Sequence, residues 1–142
     1  MQGDEKINQV VNEWVQKAEN DLKSAAYLLK IGDECPRDSI CFHAQQCVEK
    51  YLKAFLTLKG IDFPKTHDIE EILLLISENN RPKLTVSEQR RLTAYATVTR
   101  YPGNYELITF AEARKAVSMA RRIRKEVRAF IPKKALRKRK KL

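Results

Sequence analysis

Three short stretches of this 142-residue sequence carry side chains that could bind an anion or exchange a proton. The first is a row of polar residues, His43, Gln46, Lys50 and Lys53, which recur at the spacing of one helix face. The lysines could hold a phosphate there, and His43 could titrate near neutral pH. The alternative is a solvated helix face on which Glu49 pairs with Lys53. Because charged helix faces are usually structural, the residues alone favour the solvated face.

The second stretch, Lys65-Thr66-His67-Asp68, stands where a helix is predicted to begin. The free N–H groups at a helix start favour anions, so Lys65 and His67 could flank a phosphate. The alternative is local capping by Thr66 or Asp68, with His67 covering the helix end. Capping is the more common role for these residue types, and we expect it here.

The third stretch runs from Thr99 to Tyr105 and reads TRYPGNY. Arg100 offers a fixed fork for a phosphate, while Tyr101 and Tyr105 offer stacking faces for a base. The alternative is a turn at a helix end whose tyrosines pack on the rest of the protein. The residues support these two interpretations about equally, since exposed turns of this composition often bind ligands.

No metal or cofactor site is predicted. The sequence has no Gly-rich phosphate loop, nucleophile elbow or HExxH helix, and its two histidines are too few for a histidine-rich metal site. Cys35, Cys41 and Cys47 follow one another at six-residue steps, which match no zinc or redox motif. We expect reduced thiols without a catalytic role.

The elements that must position these residues are helices. The glycines and prolines fall outside the apolar-periodic runs and divide the chain into five helical patterns, at about 5–31, 38–59, 68–77, 85–100 and 109–130. Thr85 with Glu88 and Thr109 with Glu112 predict capping boxes for the last two helices. The fold class is therefore predicted as all-α, an up-and-down bundle of four to five helices whose first two form an antiparallel hairpin.

The second helix has the clearest apolar stripe and should form the centre of the bundle. Its predicted buried residues are Ile40, Cys41, Ala44, Cys47, Val48, Tyr51, Leu52, Phe55 and Leu58. The last helix pairs an apolar inner face with a basic outer face. The outer residues are Arg114, Lys115, Arg121, Arg122, Arg124, Lys125 and Arg128.

The net charge of +10 is concentrated at the C-terminus. Residues 133–142 hold seven Lys or Arg and no acidic residue, so residues 1–132 carry only +3. We expect one helical domain over 1–132 and a basic tail over 133–142. The tail could neutralise nucleic-acid phosphates or could equally be a disordered, solubilising segment. No apolar run approaches the length of a membrane span and no secretory signal is recognisable, so we expect a cytoplasmic protein without membrane contact.

The segments FHAQQCVEKYLKAFLTLKG, KTHDIEEILLLI and TRYPGNYE together resemble the HEPN domain (higher eukaryotes and prokaryotes nucleotide-binding). The preceding segment, WVQKAENDLKSAAYLLKIG, is also similar to that family, and the resemblance covers about residues 8–130. It implies an all-α bundle of four or five helices that is commonly dimeric. It also implies a partner, because many members are encoded beside a minimal nucleotidyltransferase in pairs that often act as toxin–antitoxin systems.

Active members of the family are metal-independent ribonucleases with an Arg-x(4–6)-His motif. Their Arg and His assist attack of the RNA 2′-hydroxyl on its own phosphate. In this sequence Arg100 matches the arginine, but Tyr105 stands where four intervening residues call for His. Tyrosine, with a pKa near ~10, is a poor general base at neutral pH. Arg37-x5-His43 has the bare spacing, but at the start of another helix.

The leading hypothesis is a homodimeric HEPN-type protein that binds a nucleotide or RNA and is paired with a minimal nucleotidyltransferase. Arg100 would hold a phosphate, and Tyr101 and Tyr105 would shape the pocket. The remaining residues predicted to line the site are His43, Lys50, Lys53 and His67. The first alternative is a ribonuclease toxin in which Arg100 and Tyr105 are catalytic. The second is a non-catalytic dimeric scaffold.

Overall fold

A computed structural model of the protein describes residues 2–97, 99, 101–103 and 107–138, and all regular secondary structure in these ranges is helical. The elements are α1 (Gln2–Leu29), α2 (Arg37–Leu58), α3 (Ile69–Leu74), a 3-10 turn (Glu78–Asn80), α4 (Val86–Ala96), α5 (Phe110–Arg128) and α6 (Lys133–Leu136). The predicted all-α fold is confirmed. In this part of the chain no helix has the length and apolar character needed to cross a membrane.

Helix α2 lies at the centre of the bundle and contacts α1, α3, α4 and α5. All of its predicted apolar stripe is buried except Leu58, which is half-buried against the core. Four polar residues of α2 are buried as well, namely Gln45, Gln46, Glu49 and Lys53. The helix is therefore enclosed on more sides than its apolar stripe predicts.

Helix α4 ends at Ala96 rather than near residue 100 as predicted. Two threonine hydroxyls at this end donate hydrogen bonds to backbone carbonyls of the preceding residues. Thr97 Oγ1 donates to the Thr93 carbonyl at 3.0 Å, and Thr99 Oγ1 donates to the Ala94 carbonyl at 3.1 Å. Helix α3 is also shorter than predicted, ending at Leu74 before the separate 3-10 turn.

The predicted capping box of α4 is confirmed. The Glu88 N–H donates to Thr85 Oγ1 at 3.0 Å, and Glu88 Oε1 accepts from the Thr85 N–H at 2.9 Å. At the start of α5 only half of the predicted box forms. Thr109 Oγ1 accepts from the Glu112 N–H at 3.0 Å, but the Glu112 carboxylate faces α4 and accepts hydrogen bonds from it.

The first six residues of the segment predicted as a tail lie against the bundle. Residues 133–136 form α6, and Ala135 is fully buried. The Asn12 side-chain amide donates to the Ala135 carbonyl at 2.9 Å and to the Arg137 carbonyl at 2.7 Å. Packing therefore continues past residue 132. Residues 139–142, the rest of the predicted tail, lie outside the described residues.

Candidate functional site

Two members of the polar row, His43 and Lys50, share one carboxylate on α1. His43 Nδ1 lies 2.8 Å from Asp21 Oδ1, and Lys50 Nζ donates to Asp21 Oδ2 at 2.5 Å. Because an ionised carboxylate only accepts hydrogen bonds, Nδ1 of His43 carries a proton in this contact. Both side chains are partly exposed, so they join α1 to α2 and can still contact a ligand.

Glu49, which directly precedes Lys50 in the sequence, is the centre of a buried polar cluster. Its carboxylate accepts from Gln45 Nε2 at 2.9 Å, Lys53 Nζ at 2.9 Å and His67 Nδ1 at 2.8 Å. Only 3% of Glu49 is exposed. Burial by itself raises the pKa of Glu49, but the hydrogen bonds from His67, Lys53 and Gln45 outweigh it, and the pKa of this carboxyl is lowered.

Lys53 is only 8% exposed, so the expectation of a solvated polar row is wrong at this position. Its Nζ also lies 3.4 Å from the Thr66 carbonyl and 5.7 Å from the ring centroids of Trp14 and Phe63. Residues of α1 and of the α2–α3 loop therefore enclose the ammonium group. Gln46 is buried too, and it donates to Gln45 Oε1 at 2.7 Å. The predicted Glu49–Lys53 pair is present, but it lies inside the protein.

The start of α3 is capped locally, as the alternative interpretation of this stretch predicts. The Asp68 carboxylate accepts from the Glu71 N–H at 3.2 Å, and Thr66 Oγ1 accepts from the Asp68 N–H at 3.1 Å. His67 is directed onto buried Glu49 while 57% of its side chain is exposed. Lys53 and His67 thus fasten the α2–α3 loop onto α2, and both are already paired with Glu49.

The TRYPGNY turn is described only in part, since Arg100, Asn104 and Tyr105 lie outside the described residues. Tyr101 is 71% exposed, so packing on the bundle is the wrong interpretation for this tyrosine. Downstream of the turn, Ile108 is buried and its carbonyl accepts from Arg37 Nη1 at 3.4 Å. The described part of the turn, residues 101–103, therefore presents Tyr101 to solvent, and Ile108 contacts the N-terminal end of α2.

Glu112 of α5 and Arg91 and Tyr95 of α4 form a hydrogen-bonded clamp between the two helices, which the sequence did not predict. Glu112 accepts two hydrogen bonds from Arg91 Nη2, at 3.0 and 2.7 Å, one from Arg91 Nε at 3.1 Å and one from the Tyr95 hydroxyl at 2.7 Å. Burial raises the pKa of Tyr95. A cleft of about 440 Å³ adjoins the clamp. The only signal for this clamp in the sequence is the i,i+4 spacing of Arg91 and Tyr95. The pattern Thr109-x-x-Glu112 instead predicted that Glu112 would complete a capping box.

The cysteines offer no reactive thiol. Cys35, Cys41 and Cys47 are free and buried. Burial raises the pKa of Cys41 to about 12, and it raises the pKa of Cys47 as well. A thiol with so high a pKa is protonated at neutral pH and is a weak nucleophile. Within the described ranges, no group of three or more His, Cys, Asp or Glu side chains could hold a metal ion.

Comparisons with known proteins cover most of the chain. The family model of the HEPN domain matches residues 11–130. A protein of Methanocaldococcus jannaschii, named "Putative toxin MJ1304", is 34% identical over 100 residues, and the match covers 65% of this chain but only 63% of that longer relative. The crystal structure of ST0689, an archaeal HEPN homologue, is similar with a TM-score of 0.66 at 28% identity, covering 86% of this chain and 98% of ST0689.

Proposed function

The chain belongs to the HEPN domain family, and from this premise we propose that it binds a nucleotide or RNA and is the partner of a minimal nucleotidyltransferase in a toxin–antitoxin-like pair. The observation that carries the proposal is the exposed turn between α4 and α5. It lies inside the matched residues 11–130 and presents Tyr101 to solvent. The toxin name of the M. jannaschii relative supports the paired-system part.

In the proposed site, Arg100 holds a phosphate, and Tyr101 and Tyr105 form the walls of the pocket. Stacking of a base on an aromatic ring contributes ~1–3 kcal/mol, so an exposed tyrosine beside an arginine suits a nucleotide. His43 and Lys50 are the members of the polar row that remain available, because each keeps part of its surface exposed.

Lys53 and His67 act differently in this proposal. Both are committed to Glu49, and Lys53 is enclosed by neighbouring side chains. Lys53 could contact a ligand directly only if the α2–α3 loop opened, whereas His67 keeps 57% of its side chain exposed. We therefore propose that both residues position this loop. The protein is proposed to act as a homodimer.

The binding proposal is tested by titrating labelled nucleotides and short RNAs into the wild type and into Arg100→Ala and Tyr101→Ala. We expect each variant to lose about tenfold or more in affinity, since each removes a charged hydrogen bond or a stacking face. Arg90→Ala is the matched control, because Arg90 is an exposed α4 arginine whose ion pair is with Glu70. Unchanged affinity in both test variants would leave the scaffold interpretation.

The ribonuclease interpretation is the second candidate, favoured by the toxin name of the relative and by Arg100 in the motif position. It is tested by incubating the protein with RNA in EDTA, because the proposed chemistry uses no metal. Cleavage that Arg100→Ala abolishes supports it. Absence of cleavage, or cleavage that Arg100→Ala leaves unchanged, rules it out. Affinity purification followed by mass spectrometry tests the nucleotidyltransferase partner separately.

A further inference from the structure

A groove of about 940 Å³ lies between α1, α5 and the segment that follows α6. Six basic side chains and one acidic side chain, Glu19, line it. The basic residues are Lys23 on α1, Arg121, Arg124, Lys125 and Arg128 on α5, and Lys138 after α6. None of these residues belongs to the TRYPGNY turn or to the polar row of α2.

Two of the arginines are held in place by Glu19. Arg124 Nε lies 2.9 Å from both carboxylate oxygens of Glu19, Arg124 Nη2 lies 2.8 Å from Oε1, and Arg128 Nη1 lies 3.2 Å from Oε1. Burial raises the pKa of Glu19, but the hydrogen bond and charge of Arg124 outweigh it and the net pKa is lowered. Glu19 is therefore ionised at neutral pH and offsets one positive charge.

The other four basic side chains remain uncompensated. Lys23, Arg121, Lys125 and Lys138 are exposed, and the structure records no ion pair for them within the described part of the chain. They project from three different segments into one groove, so their like charges repel one another. An anionic ligand in the groove removes this repulsion, which makes the groove a site for a multiply charged anion.

The neutral residues of the groove indicate an extended ligand rather than a simple ion. Gln16 and Asn20 supply amide groups, and Leu22, Ala26 and Leu136 supply apolar surface. A second cleft of about 610 Å³ shares Gln16, Asn20 and Lys138 with the first, and Glu13 and Lys17 complete its lining, so a polar surface continues along α1. Phosphates with sugars and bases between them fit such an alternation of cationic, amide and apolar groups.

The packing of the C-terminal segment positions the last of these cations. Asn12 and Gln16 donate hydrogen bonds to the Arg137 carbonyl, at 2.7 and 3.4 Å, which places Lys138 at the edge of the groove. The sequence then continues with Arg139, Lys140 and Lys141, which lie outside the described residues.

We propose that this groove binds the phosphodiester backbone of a nucleic acid, at a site distinct from the TRYPGNY turn. Arg124 and Arg128 form a preordered floor, while Lys23, Arg121, Lys125 and Lys138 contact successive phosphates. Because the two sites share no residue, this groove does not depend on the function proposed for Arg100. Contacts to backbone phosphates would let the protein bind a nucleic-acid strand independently of its base sequence.

The test uses the full chain and a fluorescently labelled single strand of about 20 nucleotides, in RNA and DNA versions. The groove variant is Lys23→Gln/Arg121→Gln/Lys125→Gln. On a single strand each neutralised phosphate contributes about 0.7 to the slope of log K against log salt, so the slope should fall by about 2. Affinity should fall by about tenfold to a hundredfold at about 0.1 M salt.

The matched control is Lys6→Gln/Arg114→Gln/Lys115→Gln, which removes the same charge from exposed residues that do not line the groove. Equal losses in the two triple variants would show that only overall charge matters, and would overturn the proposal. So would failure of the wild type to bind either strand, or equally tight binding of poly-glutamate. The single variant Lys138→Glu should also weaken binding, and circular dichroism verifies that each variant is folded.

Further measurements distinguish this groove from the site proposed at the TRYPGNY turn. Arg100→Ala removes one phosphate contact, so it should lower the salt slope by no more than about 0.7, and the groove variant should keep the affinity for a mononucleotide. RNA and DNA strands of one sequence show whether the 2′-hydroxyl contributes, since backbone phosphates alone do not distinguish them. If Arg100→Ala reduces the salt slope as much as the groove variant does, the two sites are one and the proposal is wrong.

Discussion

The Glu49–Lys53 pair is the residue-scale feature that most changes the interpretation of α2. An exposed i,i+4 pair contributes about 0.3–0.5 kcal/mol, whereas removing one partner of a buried pair costs several times more. Here the pair is enclosed and has further partners in Gln45 and His67. The same two residue types at the same spacing therefore have a different energetic role once they are covered.

We predict that Lys53→Met lowers the free energy of unfolding by about 2–4 kcal/mol, because it leaves the Glu49 carboxylate buried without its ammonium partner. Urea denaturation with fluorescence detection measures it. Arg90→Met, which breaks the exposed pair with Glu70, is the control and should cost less than about 1 kcal/mol. A cost for Lys53→Met no greater than that of the control would show that the buried pair is not stabilising.

The lowered pKa of Glu49 also predicts a pH dependence of stability. The folded-state pKa lies below the ordinary value of 4.5, so the contribution of this carboxylate is present above 4.5 and is lost as pH falls through the folded-state pKa. Denaturation midpoints measured at several pH values should show a steeper acid loss in the wild type than in Glu49→Gln. Parallel profiles would mean that Glu49 titrates alike in the folded and unfolded states.

Tyr105 supports a prediction about activity. If Arg100 and the residue at position 105 form a catalytic pair, Tyr105→His supplies the missing general base. Such a group typically increases the rate by about 10²–10⁴-fold. We expect metal-independent RNA cleavage to rise by about a hundredfold, measured in EDTA, and to disappear again in Arg100→Ala/Tyr105→His. Tyr101→His, which adds a histidine one residue after Arg100, should give no increase. No gain for Tyr105→His would exclude this turn as a ribonuclease centre.

At the scale of elements, α4 and α5 begin with the same Thr-x-x-Glu pattern, yet their glutamates act differently. Glu88 closes the capping box of its own helix. Glu112 instead bridges to Arg91 and Tyr95 on the neighbouring helix. The local pattern correctly predicts where both helices begin, because capping depends on residues three positions apart. It does not reveal a carboxylate's tertiary partner.

This difference predicts that a Glu→Gln substitution lowers the free energy of unfolding more at Glu112 than at Glu88. Glu112→Gln should destabilise the protein by about 2 kcal/mol, since it weakens charged hydrogen bonds from Arg91 and the acceptor for Tyr95. Glu88→Gln should cost less than about 1 kcal/mol, because glutamine can still serve in a capping box and its pair with Arg122 is at the surface. Urea denaturation of both variants measures the costs, and the reverse order would contradict the clamp assigned to Glu112.

At the scale of the whole molecule, the basic groove forms where α5 and the segment after α6 lie against α1, and α6 itself packs on α1. Deleting residues 133–142 therefore removes more than charge, because Ala135 and half-buried Leu136 leave the core. We expect the deletion to lower the free energy of unfolding by about 1–3 kcal/mol and to weaken nucleic-acid binding. Replacing the last four basic residues by glutamine should weaken binding and reduce its salt dependence without lowering the free energy of unfolding. Equal stability of the deleted and full-length proteins would show that α6 does not stabilise the bundle.

The sequence by itself determined the helices and their apolar faces. Helical periodicity and caps involve residues within four positions of one another, which is why the stripe of α2, the Thr85–Glu88 box and the helical starts at Thr85 and Thr109 could be predicted. The same locality limited the predicted boundaries, since α4 ends at Ala96, earlier than its apolar pattern indicates.

Only the tertiary structure decided what covers each polar side chain. Lys53 is buried because Trp14 and Phe63, distant in sequence, lie beside its ammonium group. The basic groove exists because Lys23 of α1 comes together with Arg121 and Lys138, which belong to the distant C-terminal part of the sequence. Burial and electrostatic potential are sums over all neighbours in space, so no local pattern contains them. The polar row of α2 and the basic face of α5 acquire their separate roles only in the folded chain.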